Sequence, residues 1–233
     1  MYNNISVCEE QAVREQSRFI SKVYGWMCFA LCVTGLVAWL VGSNPGLAQK
    51  IAGNQVIFFG LIIAELGLVI ALAGFINKMS AATATAVFIV YSLLNGLTLS
   101  VIFTAYTMAS LGTTFLVTAG TFGAMSLYGY FTKRDLTTIG NLCFMCLFGL
   151  IIASIVNIFW ANSTLYWITT YAGVIIFVGL TAYDTQKIKE MGAKENISDA
   201  ETCGKAAIVG ALALYLDFIN LFLFLLRLFG RRD

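Results

Sequence analysis

The chain has 233 residues, of which 59% are hydrophobic and 11% charged, against roughly 25% charged in an ordinary soluble domain. Net charge is +2, histidine is absent and mean hydropathy is +0.84. These values exclude a soluble enzyme, a secreted scaffold and a disordered chain. They offer no basic surface for nucleic acid, and they remove the usual general base, transition-metal ligand and neutral-pH switch.

A bilayer crossing needs about 20 mostly apolar residues. Seven stretches qualify, at 23–42, 56–76, 82–105, 112–131, 139–160, 164–186 and 206–228. They are long unbroken runs, which predicts helices rather than the short alternating segments of a β-barrel. The expected fold is therefore an all-α integral membrane protein with seven transmembrane helices. Residues 1–22 read as a polar, amphipathic cytoplasmic tail, 23–228 as the transmembrane domain and 229–233 as a short basic tail. The first run is too long for a removable signal and has no clear small-residue cleavage site.

Trp26 and Trp39 bracket the first span, and Trp160 and Trp167 flank the turn between the fifth and sixth, as interfacial anchors should. Gly35, Gly96, Gly120, Gly149 and Gly179 are expected to let helices approach closely. Cys28 with Cys32, and Cys143 with Cys146, stand at helical spacing. Neither pair has a histidine or carboxylate near it in sequence, so they read as small apolar side chains and not as a metal site. Asn95 and Asn157 read as interhelical hydrogen-bonding positions.

Lys and Arg favour cytoplasmic loops. Ten of the 14 fall on the N-terminal tail and on the loops after the second, fourth and sixth spans, Lys194 among them. The other four are Lys50, Arg227, Arg231 and Arg232. The N-terminus is therefore expected in the cytoplasm. A seventh full crossing then puts a basic C-terminus outside, although a re-entrant last helix satisfies the same counts.

An ionised group at mid-bilayer costs roughly 2.5–3.5 kcal/mol on insertion scales, so the acids within the spans carry the information. Asp217 lies near the middle of the last span, with Asn220 three residues on, on the same face, and Arg227 ten residues on, read as continuing that stripe. Asp184 lies close to the cytoplasmic end of the sixth span, where Lys187 at i+3 is an alternative partner. Antiparallel neighbours would bring Asp184 and Asp217 to one level. Glu65 is the lone charge of the second span, and Arg227 is the cation with reach to it. Two carboxylates held close share a proton, which makes a pH sensor without histidine. The same hard oxygens suit Ca²⁺, so protons and Ca²⁺ would compete for them. Tyr183-Asp184 matches half of the intramembrane aspartyl protease pattern, but Leu214-Tyr215-Leu216-Asp217 does not supply the Gly-x-Gly-Asp half, and no enzyme is expected.

Several segments resemble the Bax inhibitor family of transmembrane Bax inhibitor motif proteins. They are Val23-Tyr24-Gly25-Trp26-Met27, Thr132-Lys133-Arg134-Asp135-Leu136, Gly179-Leu180-Thr181-Ala182-Tyr183-Asp184, and Leu214 to Phe222 with Leu225-Leu226-Arg227. The resemblance covers nearly the whole chain, and the short tails suit a bacterial member. It implies a central last helix wrapped by three helix pairs, and a pH-sensitive Ca²⁺ leak whose sensor and ion site are Asp184 and Asp217. It also implies a closing ion pair matching Glu65 and Arg227. A basic residue of the second span that contacts the two aspartates in some members has Lys78 as its nearest counterpart, and Asn220 is a supporting polar residue. No cofactor is implied beyond calcium as the transported ion. Eukaryotic members are linked to cell-death suppression, and some bacterial ones to restraint of a membrane-bound protease.

The leading expectation is therefore a Ca²⁺-permeable, pH-gated leak in a bacterial inner membrane, in contact with lipid, calcium ions and protons. A second is an interaction protein that restrains another membrane protein through residues 1–22. A third, a proton-coupled carrier, lacks the internal repeat or paired broken helices such carriers show.

Overall fold

The computed structural model describes residues 2–193 and 199–231. Lys194 and Arg232, counted above among the basic residues, lie outside them. Among the described residues eight α-helices form: α1 (Tyr2–Gly42), α2 (Pro45–Gly53), α3 (Gln55–Phe75), α4 (Ala81–Leu99), α5 (Met108–Phe131), α6 (Thr137–Phe159), α7 (Ser163–Ala193) and α8 (Ala200–Phe229). A 3-10 turn (Ile76–Lys78) ends α3, and another (Ser100–Thr104) extends α4. Among the described residues, seven helices are long and apolar enough to cross a membrane, and no strand forms. All seven predicted spans are thus present as helices. The N-terminal tail is continuous with the first of them, and α2 is a short helix where only a loop was expected.

Short polar side chains start most of these helices by taking otherwise unpaired amide protons. Asn54 Oδ1 accepts from the Val56 and Ile57 amides, at 3.0 and 3.3 Å. Ser80 Oγ accepts from Thr83 (3.1 Å), Thr107 Oγ1 from Ser110 (3.2 Å) and Asn162 Oδ1 from Thr164 (2.8 Å). Pro45, which has no amide proton to satisfy, occupies the first turn of α2.

The chain divides into two compact units. The first comprises residues 1–105 and 188–215, that is α1 to α4 with the end of α7 and the first half of α8. Its helices meet where side chains are smallest. A methyl on Gly96 would strike Val37 and the Thr34 carbonyl oxygen, and Gly210 packs on Val23 and Ile188. Phe88 and Tyr91 of α4 meet Tyr215 of α8 edge-on, with ring centroids 5.9 and 5.6 Å apart. Glu201 at the start of α8 accepts from the Ala81 amide at 2.7 Å and pairs with Lys205 at 3.5 Å.

The second unit holds α5, α6, the first part of α7 and the second half of α8. Gly129 of α5 lies against the Ala182 backbone, Gly140 of α6 against the Tyr183 ring, Gly173 of α7 against Phe224, and Gly179 of α7 against Cys143 Sγ. Phe218 of α8 sits edge-on to Phe115 and Phe122 of α5, at 5.5 and 5.4 Å. The span of α8 is the most buried of the seven, 67% of its most apolar stretch against 44% for α7 and 6% for α3.

The glycine expectation is only partly met. Gly96 and Gly179 sit at close approaches, but Gly35, Gly120 and Gly149 have nothing within 4 Å of where a Cβ would stand. Hydropathy marks a span without saying which side faces a neighbour, so a glycine facing outward reads the same as one in a contact. Asn157 is a second correction. Its Oδ1 accepts from the Asn162 amide at 3.0 Å and so closes the α6–α7 turn rather than bridging helices. Asn95 does bridge them, as expected.

Candidate functional site

The two aspartates come together. Asp184 on α7 and Asp217 on α8 both belong to the second unit, and their carboxyl groups interact as hydrogen-bonding neighbours. Both are buried, with 9% and 4% of their surface exposed. Asp217 Oδ2 has no hydrogen-bond partner among the described residues. Lys187 is the cation whose field reaches Asp184, and its ammonium lies 5.8 Å from the centre of the Tyr183 ring.

The local sequence fixes this meeting from both sides. Ala182, two residues before Asp184, is held against α5 by the bare Cα of Gly129. Tyr183 packs on Gly140 and lies edge-on to Phe144, 6.1 Å between centroids. Gln186, two residues after, accepts from the Leu136 amide and donates to the Arg134 carbonyl, both at 2.8 Å. On α8, Phe218 beside Asp217 is wedged against α5. The α5 face that makes these contacts carries Phe122, Ser126 and Gly129. Ser126 Oγ is buried without a hydrogen-bond partner among the described residues, as Asp217 Oδ2 is. The Cys143 thiol on α6 is close enough to interact electrostatically with Asp217. The exposed Asp135, in the α5–α6 loop, accepts from Thr137, whose hydroxyl and amide hold its carboxyl below the usual carboxylate range.

Glu65 lies in the first unit and has neighbours of its own. Thr98 Oγ1 donates to Oε1 at 2.5 Å, and Asn95 Nδ2 to Oε2 at 3.4 Å. Asn95 Oδ1 in turn accepts from the Tyr215 hydroxyl at 3.2 Å, and that hydroxyl lies 2.6 Å from Thr34 Oγ1. A polar chain thus runs through α3, α4, α8 and α1 within this unit. Lys78 falls in the 3-10 turn past the end of α3, exposed, with its ammonium 5.6 Å from the centre of the Phe75 ring.

Arg227 belongs to the second unit and is exposed, its guanidinium 6.0 Å from the centre of the Tyr166 ring and 5.3 Å from that of Phe224. The single polar stripe expected on the last helix is broken. Ten residues turn a helix to about 80° short of three full turns, so Arg227 faces outward while Asp217 is buried. Asn220 spends its amide on its own helix, donating to the Leu216 carbonyl at 2.8 Å.

Residues 16–233 match the family described as inhibitor of apoptosis-promoting Bax1. The chain belongs to the Bax inhibitor family. It is 54% identical over 214 residues to the inner membrane protein YbhL of Escherichia coli, covering 92% of each chain. It is 46% identical to a protein of Borreliella burgdorferi over 96% of each, and 42% identical to one of Deinococcus radiodurans over 98% of this chain and 97% of that one. Within this Bax inhibitor-family membrane protein, sequence reasoning named both aspartates and Glu65 but missed Gln186, Tyr215, Thr34, Thr98 and Ser126. Gln186 carried a signal, since a glutamine two residues past a buried acid near a helix end needs partners of its own. The hydroxyls carried none.

The site offers two carboxyls against each other, buried, with one oxygen uncommitted. Among the described residues no group of three or more His, Cys, Asp or Glu gathers to hold a metal. Ca²⁺ takes 6–8 oxygens, so a cation here would draw most of its ligands from water and backbone.

Proposed function

We propose that this chain is a pH-sensitive, calcium-permeable leak channel of the bacterial inner membrane, gated by Asp184 and Asp217. One observation carries the reading: the two acids, 33 residues apart on different helices, meet while buried. Like charges so close share a proton, and Ca²⁺ competes with that proton for the same oxygens. The resemblance assigns closure of the path to Glu65 and Arg227, with Lys78 and Asn220 in support, and Glu65→Gln tests that assignment. The N-terminus lies in the cytoplasm. The protein works without a cofactor and catalyses no reaction. The resemblance to YbhL, named as an inner membrane protein, supports the location.

The test is Ca²⁺ flux into liposomes holding the purified protein, from about pH 6 to 8, a range in which a proton-sharing carboxylate pair can titrate. Asp184→Asn and Asp217→Asn run alongside. The expected result is a pH-dependent flux that both variants flatten. Flux no greater than in empty liposomes at any pH would sink the channel.

A second reading, restraint of another membrane protein, draws on the start of α1. Arg14, Glu15, Ser17 and Arg18 are exposed on a helix continuous with the first span. Deleting residues 1–22 should then abolish partner capture and leave flux intact.

A further inference from the structure

At the end of the second unit away from Asp135, a cavity of about 320 Å³ is lined by Tyr106, Ser154, Asn157, Tyr166, Thr169 and Arg227. That is the lower end of the roughly 300–1,000 Å³ range of small-ligand sites. Its polar groups are mostly donors. The Asn157 carbonyl is engaged by the Asn162 amide, which leaves its NH2 to offer. Ser154 supplies a hydroxyl, and the Arg227 guanidinium, set over two rings, supplies a charged fork. Thr169 already gives its proton to the Tyr166 carbonyl at 2.9 Å.

The acids of this unit are Asp135, Asp184 and Asp217. Asp217 lies ten residues before Arg227, about 15 Å along the helix, and Asp184 lies 18 residues beyond Tyr166, about 27 Å. Among the described residues, this end of the unit therefore has a cation and converging donors without a carboxylate of its own. A guanidinium with neighbouring hydroxyl and amide donors matches a phosphate, which takes paired N–H bonds. Trp160 and Trp167, 73% and 45% exposed at the adjoining turn, mark headgroup depth.

We propose that this cavity binds a phosphate group, presented by an anionic membrane lipid whose acyl chains lie along the neighbouring apolar surface. Cavities with a basic side chain between membrane helices are suited to such headgroups. The site shares Arg227 with the leak reading but does not rest on it, and its test reads binding without flux.

The full chain, purified in detergent, is heated with short-chain phosphatidylglycerol, with short-chain phosphatidylcholine, or with inorganic phosphate. Phosphatidylglycerol at about ten times its dissociation constant should raise Tm by roughly 3–6 °C. Phosphatidylcholine should raise it much less. The rise should vanish in Arg227→Gln, persist in part in Arg227→Lys, and shrink in the double variant Ser154→Ala with Asn157→Leu. Native mass spectrometry counts retained lipid on each variant that stays folded, so a destabilised Arg227→Gln still gives a reading. An equal rise with inorganic phosphate would keep the phosphate site and assign it to a free anion. Equal effects of both lipids, unchanged in all variants, would overturn the proposal.

Discussion

The hydroxyls of Thr34 on α1 and Tyr215 on α8 lie 2.6 Å apart, both buried. Thr34 also donates to the Ser92 carbonyl at 2.8 Å, so its proton is committed and the Tyr215 proton is shared between Thr34 and Asn95. Tyr215→Phe removes that proton and leaves two acceptors short of a donor. It should lower stability by about 1–2 kcal/mol, read as a lower Tm in detergent. An unchanged Tm would show that the hydroxyl is dispensable.

Calcium and protons should be linked at Asp184 and Asp217. On the leak reading, Ca²⁺ would take the ionised oxygens, so binding should release protons, and apparent affinity should fall as pH is lowered through the range where the pair fills with protons. Calorimetry in two buffers of different ionisation enthalpy measures the released protons. No release, or affinity that rises as pH falls, would contradict the linkage. Asp217→Asn should abolish the release.

Glu65→Gln tests the closing pair. The amide oxygen still accepts from Thr98, and only the longer 3.4 Å bond from Asn95 is given up to the NH2, so the fold should hold while the charge is lost. Flux should rise several-fold and its pH dependence should remain. If Glu65→Gln instead flattens the pH profile as the aspartate variants do, Glu65 is part of the sensor.

Gln186 ties α7 to the loop between α5 and α6 through two 2.8 Å bonds. Gln186→Leu strands the Leu136 amide and the Arg134 carbonyl. Each stranded group costs about 1–3 kcal/mol if it stays dry, and opening the loop to water relieves both. Limited trypsin digestion should then cut at Lys133 or Arg134 several-fold faster than in the parent. Equal rates would mean the loop is held by other contacts.

Gly129→Ala and Gly120→Ala lie on one helix and should behave in opposite ways. A methyl at 129 meets the Ala182 backbone, while one at 120 meets nothing within 4 Å. The first should cost about 1–3 kcal/mol by overpacking, and the second should be neutral or slightly stabilising. Side-by-side thermal unfolding decides the matter.

The contrast between those glycines shows what could be read in advance. Spans were legible because an apolar run of sufficient length has one stable use in a bilayer. Asp184, Asp217 and Glu65 were legible because a charge at that depth is costly and therefore rare. Facing was not legible. Gly35 and Gly96 look alike in sequence, yet only Gly96 touches a neighbour. Tyr215 passes for one more aromatic residue until α1 and α4 are placed around its hydroxyl. Arg227 illustrates the limit of counting along a helix, since a remainder of about 80° carries it from a buried face to an open one.

The helix starts have a consequence for how the chain is made. Asn54, Ser80, Thr107 and Asn162 satisfy amides two or three residues ahead of themselves. A span that closes its own end needs no later segment to enter lipid, so these helices can be threaded into the bilayer singly, in the order the ribosome delivers them. At the start of α6, Asp135 takes the Thr137 amide in the same way, but the Leu136 amide waits for Gln186, fifty residues downstream. That amide stays open to water until α7 has been synthesised, so the loop beside the paired acids closes only after the helix that follows it.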